Sequence, residues 1–361
     1  MKILIINPGS TTTKLALYED KNAIFEEKID HARDLEFQKK FSRPGSVLDQ
    51  LEDRYKAVEE LLTKNQITQL DAVVGRGGML PPTPSGTFPI NDKMMDDLYH
   101  RPVANHASNL GAPLALKVAE KFNITDKAFI VDPVTTDEIE PKKKLTGIAE
   151  IKRYAGWHAL NQKAIAREYA TSIGKKYEDL NLIVAHFGGG SSFGAHKKGR
   201  TINVINAIPG EGPFTPERSG YLPSQQLVEL CFSNKFTKEE ILHKVLGGGG
   251  LFSLLNTKDV YYLNVNYDSL DKNTKDIVDE MITGFARYIC HIIPDFEGEP
   301  IDQIVLTGGI AQWKLLTERI SQYLKQVNIG VTVIPGEKEL EALRDGALRV
   351  LNNEEIAKEY K

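Results

Sequence analysis

Cysteine is scarce in this chain: two residues, Cys231 and Cys290, in 361. That excludes a disulfide framework, and neither has neighbours at metal-ligand spacing, which suits a reducing compartment. No stretch approaches the roughly 20 apolar residues that span a bilayer. Met1 leads almost at once into an apolar run, leaving no room for a signal peptide. The expected location is the cytoplasm, and no membrane is expected as a partner. Charge of one sign is lacking too: a formal net charge of −4 argues against nucleic acid as a partner. Two common nucleotide signatures are missing. There is no Gly-x-x-x-x-Gly-Lys-Ser/Thr, and no Gly-x-Gly-x-x-Gly opens a helix after a strand. Gly190-Ser-Ser-Phe-Gly194 matches the Gly-x-Ser-x-Gly of hydrolases, but that motif needs a strand–turn–helix setting, and the β-branched residues beyond it predict another strand.

What is present is a recurring device. Three short apolar runs each end in glycine: Lys2-Ile-Leu-Ile-Ile-Asn-Pro-Gly-Ser-Thr-Thr-Thr-Lys14, Leu182-Ile-Val-Ala-His-Phe-Gly-Gly-Gly-Ser-Ser192 and Ile304-Val-Leu-Thr-Gly-Gly-Ile310. Each run reads as a buried strand, too short for a helix and rich in Ile, Val and Leu. Glycine beyond such a strand lets the backbone turn sharply and present bare N–H groups to an anion. Hydroxyls at Ser10, Thr11, Thr12, Thr13, Ser191 and Ser192 add donors at the same places. Together they suggest a site for a polyphosphate.

Strand-like and helix-like segments alternate, which predicts an α/β architecture. The first half reads as a hairpin, Lys2–Asn7 and Lys14–Tyr18, with Gly9, Ser10 and Thr11 at its tip. A helix at Arg54–Asn65, a strand at Ala72–Gly75 and an irregular stretch at Arg76–Asn91 follow. A helix at Ala112–Phe122, a strand at Ala128–Val131 and a helix at Trp157–Ile173 complete it. The second half repeats the form: strand Leu182–Phe187, a glycine tip, a further turn at Lys197–Arg200, and strand Thr201–Ile208. Helices are expected at Ser224–Cys231, Lys238–Leu246, Lys272–Ile293, Gln312–Lys325 and Glu337–Leu351, with strands at Ile301–Leu306 and Val331–Ile334. The length allows two domains, 1–150 and 151–336, with 337–361 packing back on the first.

The three segments resemble the phosphate 1, phosphate 2 and adenosine motifs of the acetate and sugar kinase, heat-shock-cognate and actin superfamily. Asn7-Pro-Gly-Ser-Thr-Thr-Thr-Lys14 is similar to the opening of the acetokinase family. Val74-Gly-Arg-Gly-Gly-Met-Leu80, Phe187-Gly-Gly-Gly-Ser-Ser192 and Pro213-Phe-Thr-Pro-Glu-Arg-Ser-Gly220 resemble the butyrate kinases of that family. The resemblance runs collinearly over essentially the whole chain. It implies two related ribonuclease H-like (actin-like ATPase) domains with a nucleotide cleft between them, an N-terminal acid-kinase domain and a C-terminal nucleotide-binding one. The implied reaction is reversible, Mg²⁺-dependent phosphoryl transfer between ATP and butyrate or a related short or branched acid, giving acyl phosphate and ADP. Homodimers or larger homo-oligomers are implied as well.

The same resemblance assigns roles. Arg76 and Arg218 match two active-site arginines, whose guanidinium forks suit both carboxylate and phosphoryl oxygens. Asn7 and Glu339 match positions that support Mg²⁺, with Glu337 as the alternative to Glu339, and Asp132 closes the strand Ala128–Val131, where an acid can orient Mg²⁺ or a metal-bound water. Ser10, Thr12 and Lys14 match polar positions of the first loop. His186, Gly188, Gly189, Gly190 and Ser191 form the second loop, and Gly308, Gly309 and Ile310 run against the adenosine. His158 matches a phosphoryl-stabilising histidine, and His106 another active-site histidine. His31, His100, His196, His243 and His291 match no such position and read as ordinary.

Gly77, Gly78, His106, Trp157 and Phe214 are the expected acid-pocket residues. Two glycines beside Arg76, where acetate kinases carry branched side chains, are expected to deepen that pocket and favour four or five carbons. Trp157 is expected to limit its width. Acetate or propionate kinase is the alternative, and a sugar kinase with Asp132 as base, or a non-catalytic actin-like ATPase, are the more distant ones. Pro81–Gly86 reads as a stiff flap or an inert surface loop. Gly247–Gly250 reads as a loose linker or a cover for the base.

Overall fold

The computed structural model describes residues 1–42, 45–207 and 210–361; Ile208, read above as the end of a strand, lies outside them. The chain divides into two compact units: Met1–Asp137 with Lys338–Lys361, and Glu138–Glu337. The first crossing between units falls at 137/138, earlier than the 150/151 read from the sequence.

In the first unit the sheet order is β3-β2-β1-β4-β6-β5, built from β1 (Lys2–Pro8), β2 (Thr12–Glu19), β3 (Asn22–Asp30), β4 (Ala72–Arg76), β5 (Thr87–Pro89) and β6 (Ala128–Val131). β1, β2 and β3 are antiparallel neighbours, while β4 and β6 continue the sheet in parallel. β1 and β4 are buried almost throughout, as strands covered on both faces must be. Helices Gly111–Lys121 and Glu339–Leu351 pack on these strands. The second approaches so closely that a Cβ on Gly346 would lie 2.5 Å from a Val131 methyl. β3 is largely exposed, with little apolar alternation to announce it, and β5 lies inside the stretch expected to be irregular.

The second unit repeats the pattern with order β11-β10-β7-β8-β9: β7 (Asn181–His186), β8 (Ser192–Lys197), β9 (Arg200–Ile205), β10 (Gln303–Thr307) and β11 (Val331–Val333). Side-chain alternation along β7 divides its residues between two cores. Leu182 and Val184 pack with Ile165, Ala166 and Ala170 of helix Ala159–Ser172. Ile183 and Ala185 pack with Met281, Phe285, Leu316 and Ile320 of helices Lys272–His291 and Lys314–Leu324. β8 is a strand over residues the sequence left unassigned between the glycine tip and the turn expected at Lys197–Arg200, and that turn is present. The reversal into β9 sits at Lys198 and Gly199, both with positive φ. Helix Lys272–His291 commits its apolar stripe to its own core through Val278, Met281, Ile282, Phe285 and Ile289.

Candidate active site

In the first unit, β1 and β2 form a hairpin whose tip is closed by the Gly9 N–H donating to Thr12 O at 2.7 Å. Ser10 is exposed, Thr12 half-buried, and Lys14 stands opposite Asn7 in register. A residue the sequence reading passed over anchors this tip. Arg54, on helix Leu51–Lys64, is fully buried. It donates from Nη1 to Gly9 O (2.9 Å), Thr12 O (3.2 Å) and Thr13 Oγ1 (3.0 Å), from Nη2 to Ser10 O (3.1 Å), and from Nε to Gln50 Oε1 (3.0 Å). The remaining tip carbonyl, Thr11 O, accepts from His31 N at 2.9 Å. Burial pulls the Arg54 pKa down to about 10, still far above neutrality, so a fixed positive charge underlies the loop. A buried Arg facing a Ser/Thr/Gly tip leaves no signature in sequence beyond being an odd charge on an apolar helix face.

At the end of β1, Asn7 Nδ2 donates to Glu339 Oε2 at 2.8 Å, and Arg76, closing β4, forms an ion pair with Glu339 Oε1. Burial acts to raise the Glu339 carboxyl, but the Arg76 charge, hydrogen bonds from Arg76 and Asn7, and the Lys14 charge outweigh it and hold it below the usual carboxylate value. Glu337 belongs to the second unit, where its Oε1 lies 3.7 Å from His186 Nε2. Asp132 follows β6 with φ +37, a costly backbone for a residue other than glycine. Its Oδ1 accepts from Ser85 Oγ (2.6 Å) and Gly86 N (2.9 Å). With Asp137 N donating to Thr83 O at 2.8 Å, the proline-rich segment is pinned and partly buried, which is more than an inert surface loop. His106 caps the short turn Ala107–Leu110, its Nδ1 accepting from Ser108 N at 3.2 Å. Burial of part of its ring and then the Arg76 charge push its pKa below the usual imidazole value.

Gly77 and Gly78 do not deepen a pocket. A Cβ on Gly77 would lie 2.7 Å from Pro133 Cβ, and one on Gly78 would lie 2.6 Å from Leu98 Cδ2 and 3.0 Å from Asn109 Cα. The volume released by the missing side chains is already filled; the glycines permit close backbone approach.

In the second unit, β7 ends at His186 and the tip Gly188–Gly190 leads through buried Ser191 into β8. Gly188 N donates to Ser191 Oγ at 3.4 Å. The loop carrying Arg218 grips this tip: Thr215 Oγ1 (2.5 Å) and Glu217 N (3.2 Å) both donate to Gly189 O. Arg218 donates from Nη1 to Glu217 O at 3.3 Å, while its Nε is buried with no hydrogen-bond partner among the described residues. Gly247–Gly250 is no loose linker. A Cβ on Gly249 would lie 2.5 Å from Ser219 N, and one on Gly250 (φ +61) 1.7 Å from Thr215 O, while Arg218 pairs with Leu246 in a β-bridge. Gly249 and Gly250 are packed against the Arg218 loop, and Gly247 and Gly248 face His243.

His158 stands just before helix Ala159–Ser172, its ring stacked on His186 with centroids 3.8 Å apart. Trp157 is no pocket wall: it is buried among Ile139, Ala155, Ala159 and Val204, its ring edge against His196. Phe214 is half-buried against the core that holds Phe187 and Phe285. Gly308 (φ +93) pairs both ways with Gly336, and a Cβ there would meet Phe187 O at 2.3 Å. A Cβ on Gly309 would meet nothing within 4 Å, so this backbone is open to approach, whereas the Ile310 side chain belongs to the core.

Among the described residues no helix is long and apolar enough to cross a membrane, and no three His, Cys, Asp or Glu form a metal cluster. The chain is similar to the acetate kinase of Porphyromonas gingivalis (TM-score 0.77, 16% identity, 97% of this chain and 99% of that one). It is also similar to a propionate kinase of Francisella tularensis (0.74, 18%, 95% and 98%) and to the acetate kinase of Entamoeba histolytica (0.77, 15%, 96% and 98%). At these identities the likeness speaks for the fold, two α/β units of the actin-like ATPase kind. The model of the acetokinase family matches residues 131–354, more than half of the chain, and the protein belongs to that family of carboxylate kinases.

Proposed function

We propose that the protein catalyses reversible transfer of the γ-phosphoryl group of ATP to butyrate, or to a related short or branched acid, giving the acyl phosphate and ADP in the cytoplasm. A carboxylate oxygen attacks phosphorus, the bond to the ADP oxygen breaks, and no proton has to move, because the acid is already ionised at neutral pH. The task is to hold two anions together and neutralise charge on the group in transit. The observation that carries this reading is Arg218, a guanidinium on a loop gripping a glycine tip, with a buried N–H that has no acceptor among the described residues. Arg76 is the second clamp, and His158 donates a hydrogen bond to the phosphoryl oxygens.

Gly188–Gly190 with Ser191, and Ser10, Thr12 and Lys14 above the Arg54 charge, receive phosphates, while Gly309 opens the backbone to the adenosine. The donor set fits Mg²⁺, which favours oxygen ligands and keeps several waters and phosphate oxygens, so no three-residue cage is needed. Glu339, hydrogen-bonded by Asn7, would hold the ion with Asp132 as a further ligand, and the ion would neutralise phosphate charge. The preference for a four-carbon acid rests on the motifs at Val74–Leu80 and Pro213–Gly220, not on pocket depth. Apolar side chains exposed between Tyr221 and Val265, among them Tyr221 (70%), Phe232 (81%) and Tyr261 (78%), favour a homo-oligomer that covers them.

An acyl hydroxamate assay with ATP, Mg²⁺ and acids from acetate to hexanoate tests this. A maximum at four or five carbons is expected. A maximum at acetate or propionate would overturn the butyrate assignment and keep the kinase. No product with any acid, but ADP release with a sugar, would overturn the acceptor class.

A further inference from the structure

Ser192, Gly194 and His196 alternate along β8 and so share one face of that strand, and Gln162 of helix Ala159–Ser172 reaches two of them. The contacts form a continuous chain. Tyr177 Oη lies 2.7 Å from His196 Nδ1, and His196 Nε2 lies 3.0 Å from Gln162 Oε1. Gln162 Nε2 lies 3.1 Å from Ser192 O and 2.8 Å from Ser192 Oγ, and Ser192 Oγ lies 2.8 Å from His158 Nδ1. Tyr177, Gln162, Ser192 and His196 are all buried.

The direction of every bond follows from donor and acceptor inventory. Ser192 O is a carbonyl and only accepts, so the Gln162 amide must present its NH₂ there and its oxygen to His196. His196 Nε2 therefore carries a proton. Burial, and then the charges of Lys163 and Arg167, hold His196 neutral by pushing its pKa well below the usual value, so its Nδ1 has no proton and accepts from the Tyr177 hydroxyl. Ser192 Oγ accepts from Gln162 Nε2 and, at 3.3 Å, from the backbone N–H of His158. Its single proton is left for His158 Nδ1.

We infer that Tyr177, His196, Gln162 and Ser192 act as a positioning relay that fixes His158 as the neutral tautomer protonated on Nε2, making it a hydrogen-bond donor to the phosphoryl group and not a base or nucleophile. The fixed tautomer stands on the contacts above; the donor role rests on the proposed placement of His158 at the transferring phosphoryl. Protonating Nδ1 would leave the Ser192 hydroxyl surrounded by three donors, with no acceptor among the described residues for its own proton. The face-to-face stack on His186 likewise suits a neutral ring, because two stacked cations repel. Gly194 belongs to the device: a Cβ there would lie 2.4 Å from Gln162 Oε1 and 2.6 Å from His196 Nε2, breaking the middle bond. His196, which matched no functional position in the sequence, is the centre of the relay.

The test is ¹⁵N NMR of the full chain labelled on histidine, with His158 assigned by loss of its signals in His158→Gln. The wild type is expected to show Nδ1 as the unprotonated and Nε2 as the protonated nitrogen at neutral pH, a readout that needs no relay variant to fold. In Gln162→Met the tautomers are expected to mix. The kcat for acyl phosphate formation should fall roughly 10–100-fold, the range of other orienting partners, with KM for ATP and acid within about twofold. Tyr177→Phe should fall less. A wild-type His158 protonated on Nδ1 would overturn the relay. The expected wild-type tautomer, with kcat unchanged in both Gln162→Met and His158→Gln, would keep the relay and overturn the phosphoryl-facing role of His158.

Discussion

Two arginines serve two hairpin tips and differ in what remains of their hydrogen bonding. Arg54 under the first tip has Nε, Nη1 and Nη2 all committed to protein acceptors, four of its five contacts within residues 9–13. Arg218 beside the second tip keeps a buried Nε–H without an acceptor among the described residues. The hairpins share one topology, yet they are secured differently. The Arg54 side chain holds the first, while Thr215 Oγ1 and Glu217 N of the Arg218 loop hold the second and Gly249–Gly250 pack against that loop. A guanidinium with all three nitrogens engaged builds the loop; the proposed part of the other, with its uncommitted Nε–H, is to receive an anion.

That contrast is most directly broken by substitution of the two arginines. Arg218→Ala should lower kcat roughly 10³-fold, the scale of removing an arginine from a phosphoryl-transfer site, with little change in melting temperature. Arg54→Met should do the reverse in kind. Losing it strands the carbonyls of Gly9, Ser10 and Thr12 and opens a cavity where the buried side chain stood, and is expected to cost about 3 kcal/mol in urea unfolding, with a raised KM for ATP. Equal effects of both variants on kcat and stability would erase the distinction.

Gly250→Ala probes the second tip's packing. With φ +61 and a Cβ 1.7 Å from Thr215 O, it should destabilise by about 2 kcal/mol and disturb the Arg218 loop. Gly77→Ala should cost about 1–3 kcal/mol through overpacking against Pro133 and leave the acid preference unchanged, measured across the same acid series.

The smallest effect is in pH dependence. Glu339 is held below its ordinary value of 4.5, so its stabilising contribution is complete above that value and lost as pH falls through the lower folded value. Glu339→Gln should therefore be less stable than wild type at pH 7, with the gap closing below about pH 4.5 in acid unfolding curves.

Most of the architecture was legible because its strands are continuous apolar runs. β1, β6 and β7, and the helices Ser224–Cys231 and Lys272–His291, lie within about two residues of their expected bounds. β3 and β8 were not. The first is exposed, and the second carries Gly194, His196 and Lys197, whose polar contacts replace an apolar pattern. Motif glycines announced where loops bend but not what fills the space beside them. Gly77 and Gly78 therefore suggested a cavity where Pro133 and Leu98 stand. Arg54, Gln162 and His196 were invisible for a related reason: each acts through a partner distant in sequence, so no local spacing marks it.

The most direct test of phosphoryl transfer to a carboxylate is ³¹P NMR of the enzyme with ATP, Mg²⁺ and butyrate labelled with ¹⁸O in its carboxyl group. Growth of an acyl phosphate signal displaced by one bridging ¹⁸O, in step with ADP, is the predicted result. ADP accompanied only by unlabelled inorganic phosphate would contradict the account.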